Sequence, residues 1–194
     1  MASVILASNS PRRKDILKRY IDFTVKSPIV EENNFSYKRP EQLVMALAFE
    51  KGYSIAKDYK NHIIISADTV VSIDGEILGK PEDREDAAAM IQKLSGRNHQ
   101  VLTGYGIFLL DQNIKYIDYE ITNVWFKKVG SQMLKQYLDT DSYRSKAGAY
   151  GIQDYGALLV QKIEGDYDNV VGLPISKISD NFQCFFDFSL LGGK

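Results

Sequence analysis

Near the start of the chain, Leu6-Ala7-Ser8-Asn9-Ser10-Pro11-Arg12-Arg13 sets hydroxyls and guanidinium groups where an apolar run turns into a helix pattern. Pro11 suits the first helical position, where its missing N–H costs nothing, and Ser10 then stands at the N-cap. The backbone N–H groups there, the hydroxyls of Ser8 and Ser10, and the forks of Arg12 and Arg13 are donors that hold a phosphate. The plain alternative is a capped helix with two solvated arginines. Asp68 follows the apolar run His62-Ile63-Ile64-Ile65-Ser66-Ala67, a strand buried on both faces, and reads as an acid at its carboxyl end. Ligands collect at such ends in open α/β sheets; the alternative is a turn cap. Lys51 falls four residues after Leu47 on the inner stripe of a helix starting near Pro40, where it needs a partner or must snorkel out at the core's edge. Lys80 lies in Gly79-Lys80-Pro81, delivered by a hairpin that turns at Asp74-Gly75. With Glu31 and Glu32, which follow a short strand at Phe23-Thr24-Val25, these residues suit phosphoryl chemistry with a hard metal ion.

The elements that must position them alternate between strand and helix patterns, so the fold class is α/β. Asp83 caps a helix whose stripe is Ala87, Met90, Ile91 and Leu94, and Gly96 ends it. Two long β segments, His99 to Leu110 and Ile114 to Lys128, flank Asp111-Gln112-Asn113 as an antiparallel ribbon, with Trp125 and Phe126 on its faces. Ser131 caps a short helix through Leu138, Leu158 to Ile163 returns as a strand, and Pro174 opens a last helix with Ile175, Ile178 and Phe182 inward. The passage Lys146-Ala147-Gly148-Ala149-Tyr150-Gly151-Ile152-Gln153 permits close backbone approach to a ligand, or is simply a loop. No linker or repeat divides the 194 residues, and 44% apolar content is enough for one substantial core, so residues 1–194 read as a single domain.

Basic and acidic residues balance at 24 and 25, which provides no field for nucleic acid or a membrane surface. No apolar run spans a bilayer and no secretory segment precedes the first charges, so a cytoplasmic protein is expected. Cys184 is the single cysteine, and Phe182, Phe185 and Phe186 around it suggest a packed thiol. His62 and His99 read as strand-edge histidines rather than metal ligands. The aromatic content near the C-terminus suits a homodimer interface. Walker A, dinucleotide-binding, zinc and nucleophile-elbow patterns are all missing from the sequence.

Six segments taken in order resemble the Maf family of nucleoside triphosphate pyrophosphatases. They are the opening Leu6–Arg13 stretch, Ala67-Asp68-Thr69-Val70-Val71, Leu78-Gly79-Lys80-Pro81, Ser95-Gly96-Arg97-Asn98-His99, the Lys146 to Gln153 passage and Asn169-Val170-Val171-Gly172-Leu173-Pro174. The resemblance implies an inosine triphosphate pyrophosphatase-like fold, an elongated mixed β-sheet flanked by helices with two lobes around a central cleft. It also implies metal-assisted hydrolysis of a nucleoside triphosphate to monophosphate and pyrophosphate, with Mg²⁺, Mn²⁺ or Co²⁺ held by Asp68 and by Glu31 or Glu32. Asp68 corresponds to the proton acceptor, and Ser8, Arg12, Arg13, Lys51 and Lys80 to positions facing the phosphates. Arg12, Thr69 and Gln153 resemble the branch acting on dTTP and UTP, with CTP or modified pyrimidines as further substrates. Ser145 and Asp168 depart from the family's usual aspartate and aromatic residue. The competing reading is a nucleotide-binding regulator of cell division with little turnover.

Overall fold

The computed structural model describes residues 2–30, Tyr37 and residues 39–192. Its strands are β1 Val4–Ala7, β2 Thr24–Val25, β3 Ile63–Ile73, β4 Glu76–Leu78, β5 Asn98–Leu109, β6 Ile114–Phe126 and β7 Val160–Glu164. Its helices are α1 Pro11–Leu17, α2 Pro40–Ala56, α3 Arg84–Leu94, α4 Ser131–Leu138, α5 Tyr167–Val171 and α6 Ile175–Phe186. The strands make one seven-stranded mixed sheet in the order β2-β1-β3-β5-β6-β7, with β4 paired to β3, which is the α/β class the alternation predicts. Among the described residues no helix is long and apolar enough to cross a membrane.

The residues fall into two compact units. The first comprises Met1–Asp68, Thr103–Glu120 and Gly172–Lys194. In it β1 runs parallel to β2 and to β3, in register from Val4 opposite Ile63 to Ala7 opposite Ser66. Ile5, Ala7, Ala56, Ile64 and Phe108 form a core cluster. Along α6, Ile175, Ile178 and Phe182 are buried as their spacing requires. Cys184, two residues past Phe182, is turned about 200° away at 100° per residue and is exposed, so the packed thiol expected from its neighbours is not found. Phe185 packs edge-on against Tyr116 and Phe186 edge-on against Phe182, and both remain half-buried.

The second unit comprises Thr69–Leu102 and Ile121–Val171. Asp74 and Gly75 both take positive φ, 54° and 79°, in the two-residue turn that pairs Val71 with Leu78. The Asp83 carboxylate accepts the Asp86 N–H at 2.7 Å and caps α3; Ala87, Ile91 and Leu94 face a core that also takes in Phe126, Tyr137 and Tyr150. Ser131 is the first helical residue of α4 and Gly130 the cap, one position earlier than the sequence suggests. Strand β7 begins only at Val160, because Tyr155–Leu158 forms a tight 3-10 turn.

His99 is no strand-edge histidine. It is 1% exposed, edge-on to Phe126 and Tyr150, and its Nε2 shares a 2.8 Å hydrogen bond with the Tyr150 hydroxyl. Burial pushes its pKa from 6.5 down to about 3. Below pH 6.5 the unfolded chain takes up a proton that the folded chain refuses. The residue therefore costs nothing above that pH and up to about 1.4 kcal/mol per pH unit below it. Urea titrations near pH 7.5 and about pH 5 are expected to show an acid-side loss of stability that shrinks by about 2 kcal/mol in His99→Phe; an equal loss in both proteins contradicts the assignment.

Candidate active site

Two of the predicted residues meet in the first unit. Ser66 lies on β3 and its buried hydroxyl donates to the carbonyl oxygen of Ala48 on α2 at 2.6 Å, pinning helix to strand. Asp68 is one pleat repeat beyond Ser66 and shares its face; Lys51 is three residues beyond Ala48 and shares that side of the helix. The result is a contact in which Lys51 Nζ donates to Asp68 Oδ1 at 2.6 Å, with 13% of each side chain exposed. Lys51 thus has its partner and does not snorkel outward. The helix reaches this depth because β5 carries Gly104: a Cβ there would stand 2.2 Å from the Val44 carbonyl oxygen, a backbone clash that no side-chain movement relieves.

Asp68 is not at the end of its strand, as the polar break in the apolar run suggests. β3 continues through it to Ile73 because Thr69, Val70, Val71 and Ile73 favour extended backbone and β4 supplies a new partner from Val71. Pairing with β1 does stop at Ser66, so Asp68 lies just past the carboxyl end of that parallel pair, and Ser8 leaves β1 level with Ala67. Asp68 therefore stands near a strand's carboxyl end through β1 rather than through β3.

The opening segment forms the two-turn helix α1 with Pro11 first, as expected. Ser10 occupies the cap position, yet its hydroxyl makes no capping bond. The buried Ser8 Oγ accepts instead from the Ser10 N–H, just ahead of the helix, and from Arg13 Nη1, both at 3.2 Å. Arg13 Nε also donates to the Gly172 carbonyl oxygen at 2.7 Å, which fastens α1 to the segment leading into α6. Arg12 and Arg13 are both half-buried. A guanidinium carries five N–H donors, and Arg13 uses some of them as a strut between Ser8 and Gly172.

Thr69, Lys80 and Gln153 belong to the second unit. Thr69 is half-buried, while Lys80 and Gln153 are exposed. Gly148, at φ 64°, packs where a Cβ would meet Val71 Cγ2 at 2.8 Å, so the glycine serves packing within the protein. Its N–H donates to the Gly79 carbonyl oxygen at 2.9 Å, next to Lys80. Ser145 has φ 56°, a left-handed conformation that aspartate adopts more readily, and its hydroxyl donates to the Arg144 carbonyl; the departure bears on backbone strain. Asp168 sits in the first turn of α5 and its N–H donates to Asp166 Oδ1 at 2.7 Å. The next residue, Asn169, has a structural part that spacing did not reveal: its buried amide donates to the Val101 carbonyl and to Thr122 Oγ1. A groove of about 420 Å³, lined by Ser72, Asp74, Arg97, Asn98, Gln100 and Asn123 among others, contains none of the predicted site residues.

Glu31 and Glu32 lie outside the described residues. Among the described residues no cluster of three or more potential metal ligands occurs. Asp68 nonetheless offers a hard carboxylate oxygen beyond the one that Lys51 engages, which fits a divalent ion that keeps waters and shares substrate phosphate oxygens.

The first unit thus holds a lysine–carboxylate pair and an arginine-bearing turn within a mixed α/β fold. A family model described as Maf-like protein matches residues 3–185, and the chain belongs to that family. The dTTP/UTP pyrophosphatase of Clostridioides difficile (strain 630) is 47% identical over 192 residues, 98% of this chain and 99% of that protein. The dTTP/UTP pyrophosphatase of Pyrococcus furiosus is 45% identical over 175 residues, 90% of this chain and 91% of that one. The solved structure of the Staphylococcus aureus Ham1 protein aligns with a TM-score of 0.48 at 15% identity, covering 64% of this chain and 71% of that one.

Gly104→Ala is expected to destabilise the protein by about 2–3 kcal/mol in urea unfolding and to loosen the seat of α2. Gly79→Ala, whose methyl would meet nothing within 4 Å, should stay within about 0.5 kcal/mol of the parent. Equal, small effects would mean that the close approach at Gly104 carries no weight.

Proposed function

We propose that this chain hydrolyses dTTP and UTP to the nucleoside monophosphate and pyrophosphate, by attack of water at the α-phosphorus, with CTP or modified pyrimidine nucleotides as further substrates. The observation that carries the reading is the Lys51–Asp68 pair, a positioned carboxylate with one oxygen held and the other available to a water. Relatives named dTTP/UTP pyrophosphatase, alike over nearly the whole chain, support the substrate class.

In this mechanism Asp68 accepts the proton of the attacking water, and Lys51 fixes the direction in which the carboxylate faces. Arg12, Arg13 and Lys80, with the hydroxyls of Ser8 and Ser10, hold the phosphates and offset the charge that spreads as pyrophosphate leaves. Asp68, with Glu31 or Glu32, would hold Mg²⁺, Mn²⁺ or Co²⁺, which when bound neutralises the triphosphate and lowers the pKa of a coordinated water. The Gln153 amide has a donor and an acceptor for the edge of uracil or thymine, and Thr69 adds shape or one hydroxyl contact. Bases that leave these groups unpaired are rejected.

The same proposal has the protein act in the cytoplasm as a homodimer. The apolar surface that would serve such an interface includes the C-terminal aromatics and the exposed Tyr155 and Leu158; light scattering at the mass of two chains is the expected result, and a monomer mass contradicts it.

Pyrophosphate release from UTP, dTTP, CTP, GTP and 7-methyl-GTP, with and without Mg²⁺ or Mn²⁺, is the test. Metal-dependent release is expected with UTP and dTTP, falling on the order of a hundredfold or more in Asp68→Asn with nucleotide affinity largely kept. Gln153→Ala should flatten the ranking of bases. Binding without turnover on any nucleotide would replace the enzyme with a nucleotide-binding regulator.

A further inference from the structure

Three polar side chains with no part in the mechanism above gather around the turn that carries Gln153. Lys146 Nζ lies 2.6 Å from Asp154 Oδ2, with 12% of the lysine side chain exposed. The same ammonium donates to the Ser142 carbonyl oxygen, and the Ser142 hydroxyl donates to Asp154 Oδ1 at 2.8 Å. Asp154 also accepts from the Gly156 N–H at 3.4 Å and so begins the turn Tyr155–Leu158. Burial pushes the Asp154 carboxyl up, but the hydrogen bonds from Lys146 and Ser142 and the charge of the ammonium outweigh it and hold the pKa below the usual carboxylate range.

Packing leaves this loop little slack. A Cβ at Gly156 would stand 2.4 Å from the Gly151 carbonyl oxygen, and one at Gly151 would stand 2.7 Å from Lys146 Cε. Gln153, between Gly151 and Asp154, therefore has its backbone fixed on both sides while its own side chain is exposed. The loop is also tied to the other predicted residues of this unit. Gly148 donates to the Gly79 carbonyl beside Lys80 and packs against Val71, which shares a face of β3 with Thr69.

We propose that the Lys146–Asp154 ion pair, closed by Ser142, is a positioning clasp for Gln153 that sets discrimination among bases without touching the nucleotide. The inference rests on the base-reading part proposed for Gln153. An amide that must meet a base edge with donor and acceptor together tolerates little displacement, since a shift near 1 Å is enough to lose about a hundredfold where geometry is demanding. The proposed proton acceptor Asp68 and its partner Lys51 lie in the first unit and are not part of the clasp, so its loss should show in the ratio between nucleotides more than in turnover of the preferred one.

The experiment measures kcat and KM for UTP, dTTP, CTP and GTP in the parent, Asp154→Asn, Lys146→Met, Lys146→Arg and Gln153→Ala, and in Asp154→Asn combined with Gln153→Ala. In Asp154→Asn and Lys146→Met the kcat/KM preference for UTP over CTP should fall about tenfold, toward that of Gln153→Ala, with kcat on UTP within about threefold of the parent. Lys146→Arg, which keeps the charge, should recover most of the preference. Adding Asp154→Asn to Gln153→Ala should change the ratio no further. If Lys146→Met does not fold, the near-isosteric Asp154→Asn decides. A uniform loss on all four nucleotides overturns the clasp. A ranking changed by Gln153→Ala but untouched by Asp154→Asn overturns the clasp alone, and a ranking untouched by Gln153→Ala overturns the base-reading part and the clasp's purpose with it.

Discussion

The depth at which α2 lies on β3 and β5 is the constraint from which the proposed reaction centre follows. An ordinary side chain at position 104 would lift the helix away from the strand, because the atom its Cβ would meet at 2.2 Å is the Val44 carbonyl oxygen itself. Close seating alone would leave the helix able to slide. The Ser66 hydroxyl, bonded to the Ala48 carbonyl in a buried setting, fixes the register, and a buried donor stripped of this partner would be expensive. Once depth and register are set, Lys51 and Asp68 have no choice but to meet. The pair is a consequence of apolar packing, and its chemistry is borrowed from the rigidity around it.

Partial burial makes that meeting consequential in two ways. With 13% of each side chain exposed, the pair is largely shielded from water and removal of either partner leaves a poorly solvated charge. The same poverty of water strengthens whatever the carboxylate and ammonium do to an arriving anion. Arg13 shows a related economy, since one guanidinium ties Ser8 to Gly172 and so holds the turn that presents Arg12 and Ser10. In the second unit the Lys146–Asp154 pair is more exposed on its acidic side, and its effect is geometric: it closes a loop.

Period and turn chemistry made much of the architecture legible. The stripe on α3, its Asp83 cap, the Asp74-Gly75 turn and the inward face of α6 all followed from spacing. Lys51 stood out because a cation fell on an apolar stripe, though nothing local named its partner, which lies 17 residues away on another element. Asp68 marks a strand's carboxyl end only with respect to β1, not its own strand. A polar residue after an apolar run looks like a strand end, whereas the chain simply exchanges one neighbouring strand for another and stays extended. His99 is buried because it alternates with the exposed Asn98 and Gln100 along β5, a pattern that a single histidine at the start of a strand does not announce. Cys184 was misjudged from sequence neighbours, which on a helix face other directions. Lys146 and Asp154 were invisible as a pair because loop closure follows no period.

The central claim is that Lys51 and Asp68 act as one unit in the proposed hydrolysis. A double-mutant cycle on kcat/KM for UTP, using Lys51→Met, Asp68→Asn and both together, tests it most directly. Residues that work as a unit give a double variant no worse than about the weaker of the two single ones. Losses that multiply, each variant lowering kcat/KM by its own factor regardless of the other, would show two independent residues and contradict the account.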